Sequence, residues 1–171
     1  NMSNFLYEIG VRHMTVSLVS TSGQASLNKV ACSYSDVELA YAQMLDVHEG
    51  MTIGFVGGLP FCSLPSNYDP SLASMSNICD AGITQVVIGP NGGIRPCVEW
   101  AEEAGNIFEN NLVDVWRDSK VFEDIRRFKN TPKSCRSCEQ VPYCHGGCRA
   151  SALAVSHSKC GYDPMMRPME V

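Results

Sequence analysis

Apolar and polar residues alternate most clearly over 11–19. Met14, Val16 and Leu18 point one way, and Thr15, Ser17 and Val19 the other. A period of two predicts a strand. Just before it, residues 5–9 read as a helix end stopped by Gly10. Ser20 to Gly23 break the strand, and 24–34 are polar without a periodic signal. Apolar residues then recur at helical spacing: Val37, Ala40, Tyr41, Met44 and Leu45. Ser35-Asp36-Val37-Glu38 predicts a capping box at the start of that helix, which should end near Gly50. Met51 to Val56 is a second apolar strand, stopped by Gly57-Gly58-Leu59-Pro60. Helix end, strand, helix and strand make one βαβ unit, so the strands should be parallel with a right-handed crossover. One such unit cannot bury both faces of its sheet, so its edges should meet a larger sheet or a second copy of the chain.

Residues 60–82 are rich in Pro, Ser, Asn and Asp. They predict a linker with a boundary near residue 70, dividing the chain into 1–70 and 71–171. Beyond it, Ile83 to Ile88 and Ile94 to Cys97 flank Gly89-Pro90-Asn91-Gly92-Gly93, a strong hairpin signal. The hairpin returns Cys97 alongside the start of its partner strand, near Cys79, which makes these two thiols natural co-ligands. Gly105-Asn106 reads as a turn, and Asn111 as an N-cap. Val115, Trp116, Val121, Phe122, Ile125 and Phe128 give the apolar face of one broken helix or two short ones, with the break at Asp118-Ser119. Pro132 ends that section. Ala150 to Val155 should form a short helical turn, and the tail from Asp163 should be irregular.

The chain of 171 residues carries a net charge of −5, which gives it no reason to seek nucleic acid or anionic lipid. No apolar run approaches the ~20 residues that span a bilayer. The first residues, Asn1 to Asn4, lack a basic-then-apolar leader, so the expected compartment is the cytoplasm. Nine cysteines are present, an odd count. With no secretory cue, metal or cluster ligation is a better reading of them than a disulfide framework.

Four of the nine fall between Cys135 and Cys148, spaced C-x2-C-x5-C-x3-C. That spacing fits neither helix nor strand; it fits loops wrapped round a centre. Thiolates are soft ligands suited to zinc or iron–sulfur clusters. A structural zinc site usually uses two knuckles with a longer gap between them. Here one tight run of four leaves Cys79, Cys97 and Cys160 over, enough for one site of four thiols and one of three. A three-thiol site with an open position suits a cluster better than a structural zinc. Gly146-Gly147 would let backbone amides approach the sulfurs. Zinc stays as the alternative.

The order Cys79, Gly92, Cys97, then C-x2-C-x5-C-x3-C and Cys160 resembles the seven-cysteine signature of the SPASM domain, the C-terminal module of many radical S-adenosylmethionine enzymes. The likeness runs over roughly 79–164. It includes Gly89-Pro90-Asn91-Gly92, Gly105-Asn106-Ile107, Cys144-His145-Gly146-Gly147-Cys148-Arg149-Ala150 and Asp163-Pro164. The resemblance implies two auxiliary [4Fe–4S] clusters. Position by position, Cys79, Cys97 and Cys148 would hold the first, with Cys62 as a candidate fourth ligand. Cys135, Cys138, Cys144 and Cys160 would hold the second. It also implies an α/β fold: the last βαβ portion of a partial (β/α)6 barrel in 1–70, then a small Cys-rich α+β SPASM domain in 71–171.

One departure matters. The C-x3-C-x2-C run that holds the family's catalytic cluster is absent, and no pair among Cys32, Cys62 and Cys79 has its spacing. The chain therefore reads as a C-terminal fragment that should be inactive alone. S-adenosylmethionine and a third [4Fe–4S] cluster would belong to the full-length enzyme. The resemblance implies a peptide or protein substrate and an electron donor such as ferredoxin or flavodoxin; a dimer through exposed barrel strands is also expected. A non-catalytic iron–sulfur or zinc module, acting in binding or structure, is the contrasting function. Among lesser candidates, His145 is expected to be a solvent-facing loop histidine, and Arg126, Arg127, Lys129, Lys133 and Arg136 a solvated basic face. Trp100 and Trp116 are expected in the core. Ser20 and Gly57 sit at strand ends, where barrel enzymes place ligand-binding loops. His13, His48 and His157 show no ligand spacing with the thiols.

Overall fold

In the computed structural model, which describes residues 2–28, 30, 32–46, 49–64 and 79–166 (backbone only at 26, 45, 55 and 56), the first alternation forms β1 (His13–Ser17). It pairs in parallel with β2 (Thr52–Val56), from His13 opposite Thr52 to Ser17 opposite Val56. Helix α1 (Met2–Glu8) precedes β1. Helices α2 (Gly23–Asn28) and α3 (Tyr34–Leu45) make the crossover. The expected βαβ unit is present, with α2 as an addition.

The capping box of α3 lies two residues earlier than expected. Ser33 is the N-cap: its hydroxyl accepts from the Asp36 amide at 3.2 Å, and its own amide donates to the Asp36 carboxylate at 2.7 Å. Ser35 instead shares a hydrogen bond with the Ser33 hydroxyl at 2.8 Å. The helix also stops sooner than Gly50, because Asp46 leaves helical geometry (φ −96°, ψ 42°). The Ser33 hydrogen bonds hold the Asp36 carboxyl below its ordinary value of 3.8. A depressed acid contributes stability that is present above its unfolded pKa and lost as pH falls through the folded one. Ser33→Ala should therefore lower the urea midpoint at neutral pH. Its deficit against wild type should shrink as pH falls below 3.8 and through the folded-state pKa, where the carboxyl becomes protonated in both.

The first apolar cluster joins distant parts of the chain. Val37 of α3, Leu59 and Met165 are buried together, with Val16, Leu18, Met44 and Leu64 packed round them. Met165 comes from the far end of the chain. The hydroxyl of buried Ser63 donates to its backbone carbonyl. The segment after β2 thus packs on the Cys-rich part. The boundary expected near residue 70 lies outside the described residues.

The second half holds the expected hairpin. β3 (Val87–Ile88) and β4 (Gly93–Arg95) pair antiparallel, Val87 opposite Arg95 and Ile88 opposite Ile94. Gly105-Asn106 is not a turn but a third strand, β5 (Gly105–Asn106), with Gly93 opposite Asn106 and Ile94 opposite Gly105. The broken helix is two helices, α4 (Leu112–Asp118) and α5 (Lys120–Arg126). Asn111 caps the first by accepting from the Val113 amide at 2.9 Å. Ser119 divides them, extended at φ −65°, ψ 133°, and its hydroxyl accepts from the Val121 amide at 3.3 Å. Ile94, Val115 and Phe122 form the second apolar cluster. It fixes the hairpin against α5, and so fixes Cys97, two residues after β4. Two short helices complete the half: α6 (Val141–Cys144), which lacks any periodic signal, and α7 (Arg149–Ser156).

Candidate metal centre

Cys79, Cys97 and Cys148 line one cavity, whose non-protein space is about 490 Å³ with its open mouth included. The hairpin supplies Cys97, the segment before it Cys79, and the N-cap of α7 Cys148. The remaining wall is largely apolar, including Trp100, Ile125 and Phe128. Burial pushes the Cys79 thiol up to about 11. The Ala81 amide opposes that shift, and the charges of Cys148 and Cys97 add to it. Burial also raises Cys97, against hydrogen bonds from the Glu99 and Trp100 amides. The Cys148 sulfur accepts from the Ser151 amide at 3.4 Å. Each of the three sulfurs thus faces at least one backbone N–H, a donor pattern that stabilises negative charge on ligated sulfur. Trp100 is 3% exposed, and its Nε1–H has no hydrogen-bond partner among the described residues.

A single tetrahedral zinc at 2.3 Å from each sulfur needs thiols about 3.8 Å apart. Among the described residues, no three His, Cys, Asp or Glu side chains stand close enough to hold one metal ion. Thiols spread over a cavity wall, with amides aimed at the sulfurs and an orphaned indole N–H beside them, fit a larger anionic group such as a cluster.

A second thiol group lies across the loop from Cys144 to Cys148. Cys135 is buried and ends a short 3-10 turn (Lys133–Cys135). Burial raises its thiol against the Ser134 hydroxyl, and Cys144 and Cys62 raise it further. The Cys144 sulfur accepts from the Phe61 amide at 3.3 Å. Cys138 is exposed, its amide donating to the Cys135 carbonyl at 3.0 Å. Cys160 is exposed too, and its thiol donates to the Lys129 carbonyl at 3.5 Å. Cys62, the candidate fourth ligand of the first group, is a neighbour of Cys135. The 3-10 turn Phe61–Ser63 carries it there, in the same turn that bonds Cys144.

His145, Gly146 and Gly147 join the two groups with three successive positive φ angles of 53°, 77° and 80°. His145 is not a solvent-facing histidine. It is half-buried, lines the cavity and sits 4.8 Å from the Phe128 ring, and burial lowers its pKa. Arg149 donates to backbone carbonyls on both sides of the loop, Gly161 at 2.6 Å among them. Asp163 is 3% exposed and accepts from the Cys148 amide at 2.5 Å and the Met165 amide at 2.7 Å. Burial pushes its carboxyl up. Both residues lie in the family-like phrases Cys144 to Ala150 and Asp163-Pro164, but neither has a spacing that reveals its role.

Of the basic strip, Arg127, Lys129, Lys133 and Arg136 are exposed, as expected; Arg126 is not solvated, since its Nε donates to the Gly82 carbonyl at 2.9 Å and its Nη2 is buried. Lys129 pairs with Asp124 at 3.0 Å, Arg127 with Glu123 at 3.2 Å, and Arg126 lies 4.3 Å over the Trp116 ring. Ser20, at the end of β1, donates to the Glu99 carboxylate at 2.5 Å, and Ser22 donates to the same oxygen. Thus the first strand's end touches the segment just after Cys97. His48 lies outside the described residues.

Residues 79–139 match the SPASM model, an iron–sulfur cluster-binding domain. The chain carries a SPASM domain. The match takes in Cys79, Cys97, Cys135 and Cys138. The SPASM-bearing chain is 28% identical over 165 residues to a PqqA peptide cyclase of Ruegeria pomeroyi, covering 92% of this chain and 42% of that protein. A PqqA peptide cyclase of Xanthomonas axonopodis pv. citri is 32% identical over 84 residues, covering 47% of this chain and 23% of the relative. Among solved structures, Streptococcus suis SuiB superposes with a TM-score of 0.56 at 21% identity, covering 98% of this chain and 42% of that one. SuiB bound to S-adenosylmethionine gives 0.57. At that identity the likeness shows the fold. The chain spans about two fifths of the length of the first of these relatives and of SuiB. The resemblance to radical S-adenosylmethionine enzymes with a SPASM domain, carried by the cysteine spacing, is borne out. Among the described residues, no helix is long and apolar enough to cross a membrane.

Proposed function

We propose that this chain is the relay part of a radical S-adenosylmethionine oxidoreductase that modifies a peptide or protein. It would hold two auxiliary [4Fe–4S] clusters, with 1–70 as later barrel strands and 71–171 as the SPASM domain. The observation that carries this is the cavity whose wall bears Cys79, Cys97 and Cys148, each sulfur faced by a backbone amide. Those three would hold the first cluster. Cys135, Cys138, Cys144 and Cys160 would hold the second, with Cys62 beside them. Bound clusters would supply one-electron acceptance, from the substrate or from a donor such as ferredoxin or flavodoxin.

The chain's own residues prepare for that. Apolar walls at Ile125 and Phe128 limit water at the first site. The amides of Ala81, Glu99, Trp100 and Ser151 meet charge on the sulfurs. The N-terminus of α7 places its dipole at Cys148, which favours negative charge there. Among the described residues, β1 and β2 form a two-stranded sheet with unpaired outer edges, which supports pairing with further barrel strands or a second copy. Free thiols kept as ligands suit a reducing compartment such as the cytoplasm.

Anaerobic reconstitution with iron and sulfide tests the proposal. The expected product is brown, absorbs broadly near about 400 nm and carries iron and sulfide in equal amounts. A colourless protein that takes up zinc in preference would overturn it.

A further inference from the structure

We propose that Arg149 serves both thiol groups at once. Its guanidinium pins the loops that carry them and raises the reduction potential of the cluster held at each. This deepens the proposed function and rests on it.

The guanidinium is held on three sides by main chain. Nε donates to the Gly147 carbonyl at 3.4 Å, and Nη2 donates to that of Gly146. Nη1 donates to Gly161 at 2.6 Å and to Asn130 and Lys159 at 3.4 Å each. Gly146 and Gly147 lie between Cys144 and Cys148. Lys159 and Gly161 flank Cys160. Asn130 follows Lys129, whose carbonyl takes the Cys160 thiol. One side chain therefore fastens the loop shared by both groups to the two segments that fix Cys160. A planar fork with five donors can do this; an ammonium, with three donors, keeps the charge and part of the pinning.

The fork's acceptors are all neutral carbonyls, and Arg149 forms no ion pair among the described residues. Asp163 is near, but its two oxygens are taken by the Cys148 and Met165 amides. A largely buried cation without a paired anion is costly. The other groups whose charged form bears on it are thiols of both sets: Cys148 of the first, and Cys135 and Cys144 of the second, which become negative only as thiolates. Thiolate-ligated clusters would supply the missing anions. Reduction adds negative charge to a cluster, so a fixed cation beside it favours the reduced form.

The test uses the reconstituted chain, with iron and sulfide counted and both clusters titrated by EPR-monitored redox potentiometry. A wild-type chain that holds no iron and sulfide would overturn the function reading before any variant is made. In Arg149→Gln with iron retained, the reduction constant of each cluster should fall about tenfold or more, a shift of ~59 mV or more to lower potential. Arg149→Lys should stay close to wild type. If Gln retains its iron and fewer than two potentials fall, the shared role is wrong. If Gln loses iron, Arg149→Lys decides. Retained iron with wild-type potentials shows that the charge is needed and supports the proposal. Lost iron, or potentials that fall as far as those of Gln, overturns it in favour of packing alone.

Discussion

Serine in place of Cys97 should remove about half of the iron from the reconstituted chain, and serine in place of Cys144 should remove the other half. Thiolates are soft ligands that bind cluster iron well, whereas a hydroxyl is a poor substitute. Cys97 shares its cavity with Cys79 and Cys148, while Cys144 stands with Cys135 on the far side of the glycine loop. Each change should therefore empty one site and leave the EPR signal of the other. Cys97 is the better probe of the first group. Cys148 also caps α7 and donates its amide to Asp163, so its replacement would mix ligation with folding. Iron and sulfide per chain, with EPR of the dithionite-reduced protein, read the result. Loss of all iron on Cys97→Ser would mean one shared centre; loss of none would make Cys97 a structural thiol.

What could be read from the sequence is what local physics fixes. Met14, Val16 and Leu18 share the less exposed face of β1 because a strand has a period of two. Asn111 and Ser119 cap helices because their short side chains accept amide bonds that would otherwise be unmet. The capping box at α3 slipped because Ser33-Tyr34-Ser35-Asp36 and Ser35-Asp36-Val37-Glu38 match the same pattern. Only the structure shows that the chain enters the helix at the first. β5 was illegible for the opposite reason. Gly-Asn carries turn chemistry, and its two residues become a strand only because β4 offers partners. Helix α2 has no apolar stripe to announce it, and α6 is a single turn.

The metal centre divides in the same way. Thiol spacing pointed to ligation, and the hairpin signal set Cys97 near Cys79. Which thiol stands by which centre depends on contacts far apart in sequence. Cys62 illustrates this: its turn bonds Cys144 across 83 residues, and so it lies near Cys135. Arg149 and Asp163 show the same limit. An arginine after a cysteine carries no periodic signal, and its carbonyl acceptors lie 2 to 19 residues away. An aspartate in an irregular tail looks solvated until Cys148 and Met165 are seen to donate to it.

Gly147→Ala should be the most destabilising small substitution in the loop, because two separate costs fall on one methyl group. At φ 80° an alanine bears the cost of left-handed backbone, about 1–2 kcal/mol. Its Cβ would also lie 2.6 Å from an Asp163 oxygen and 2.7 Å from Pro60 Cγ. Neither neighbour can yield cheaply. Pro60 is fully buried, and the Asp163 carboxylate is held by two amides. Overpacking of this kind costs roughly another 1–3 kcal/mol. Gly10 provides the control: at φ 94° a methyl group added there would meet nothing within 4 Å, so Gly10→Ala carries the backbone cost alone. Urea denaturation of the two variants should separate the terms, with Gly147→Ala the weaker by roughly the overpacking cost. The loss should reach both centres, since Gly147 adjoins Cys148 and its carbonyl accepts from Arg149. Iron content should therefore drop at both sites in Gly147→Ala and at neither in Gly10→Ala. Equal urea midpoints for the two variants would mean that the loop has room to relax, and that Pro60 and Asp163 do not clamp it.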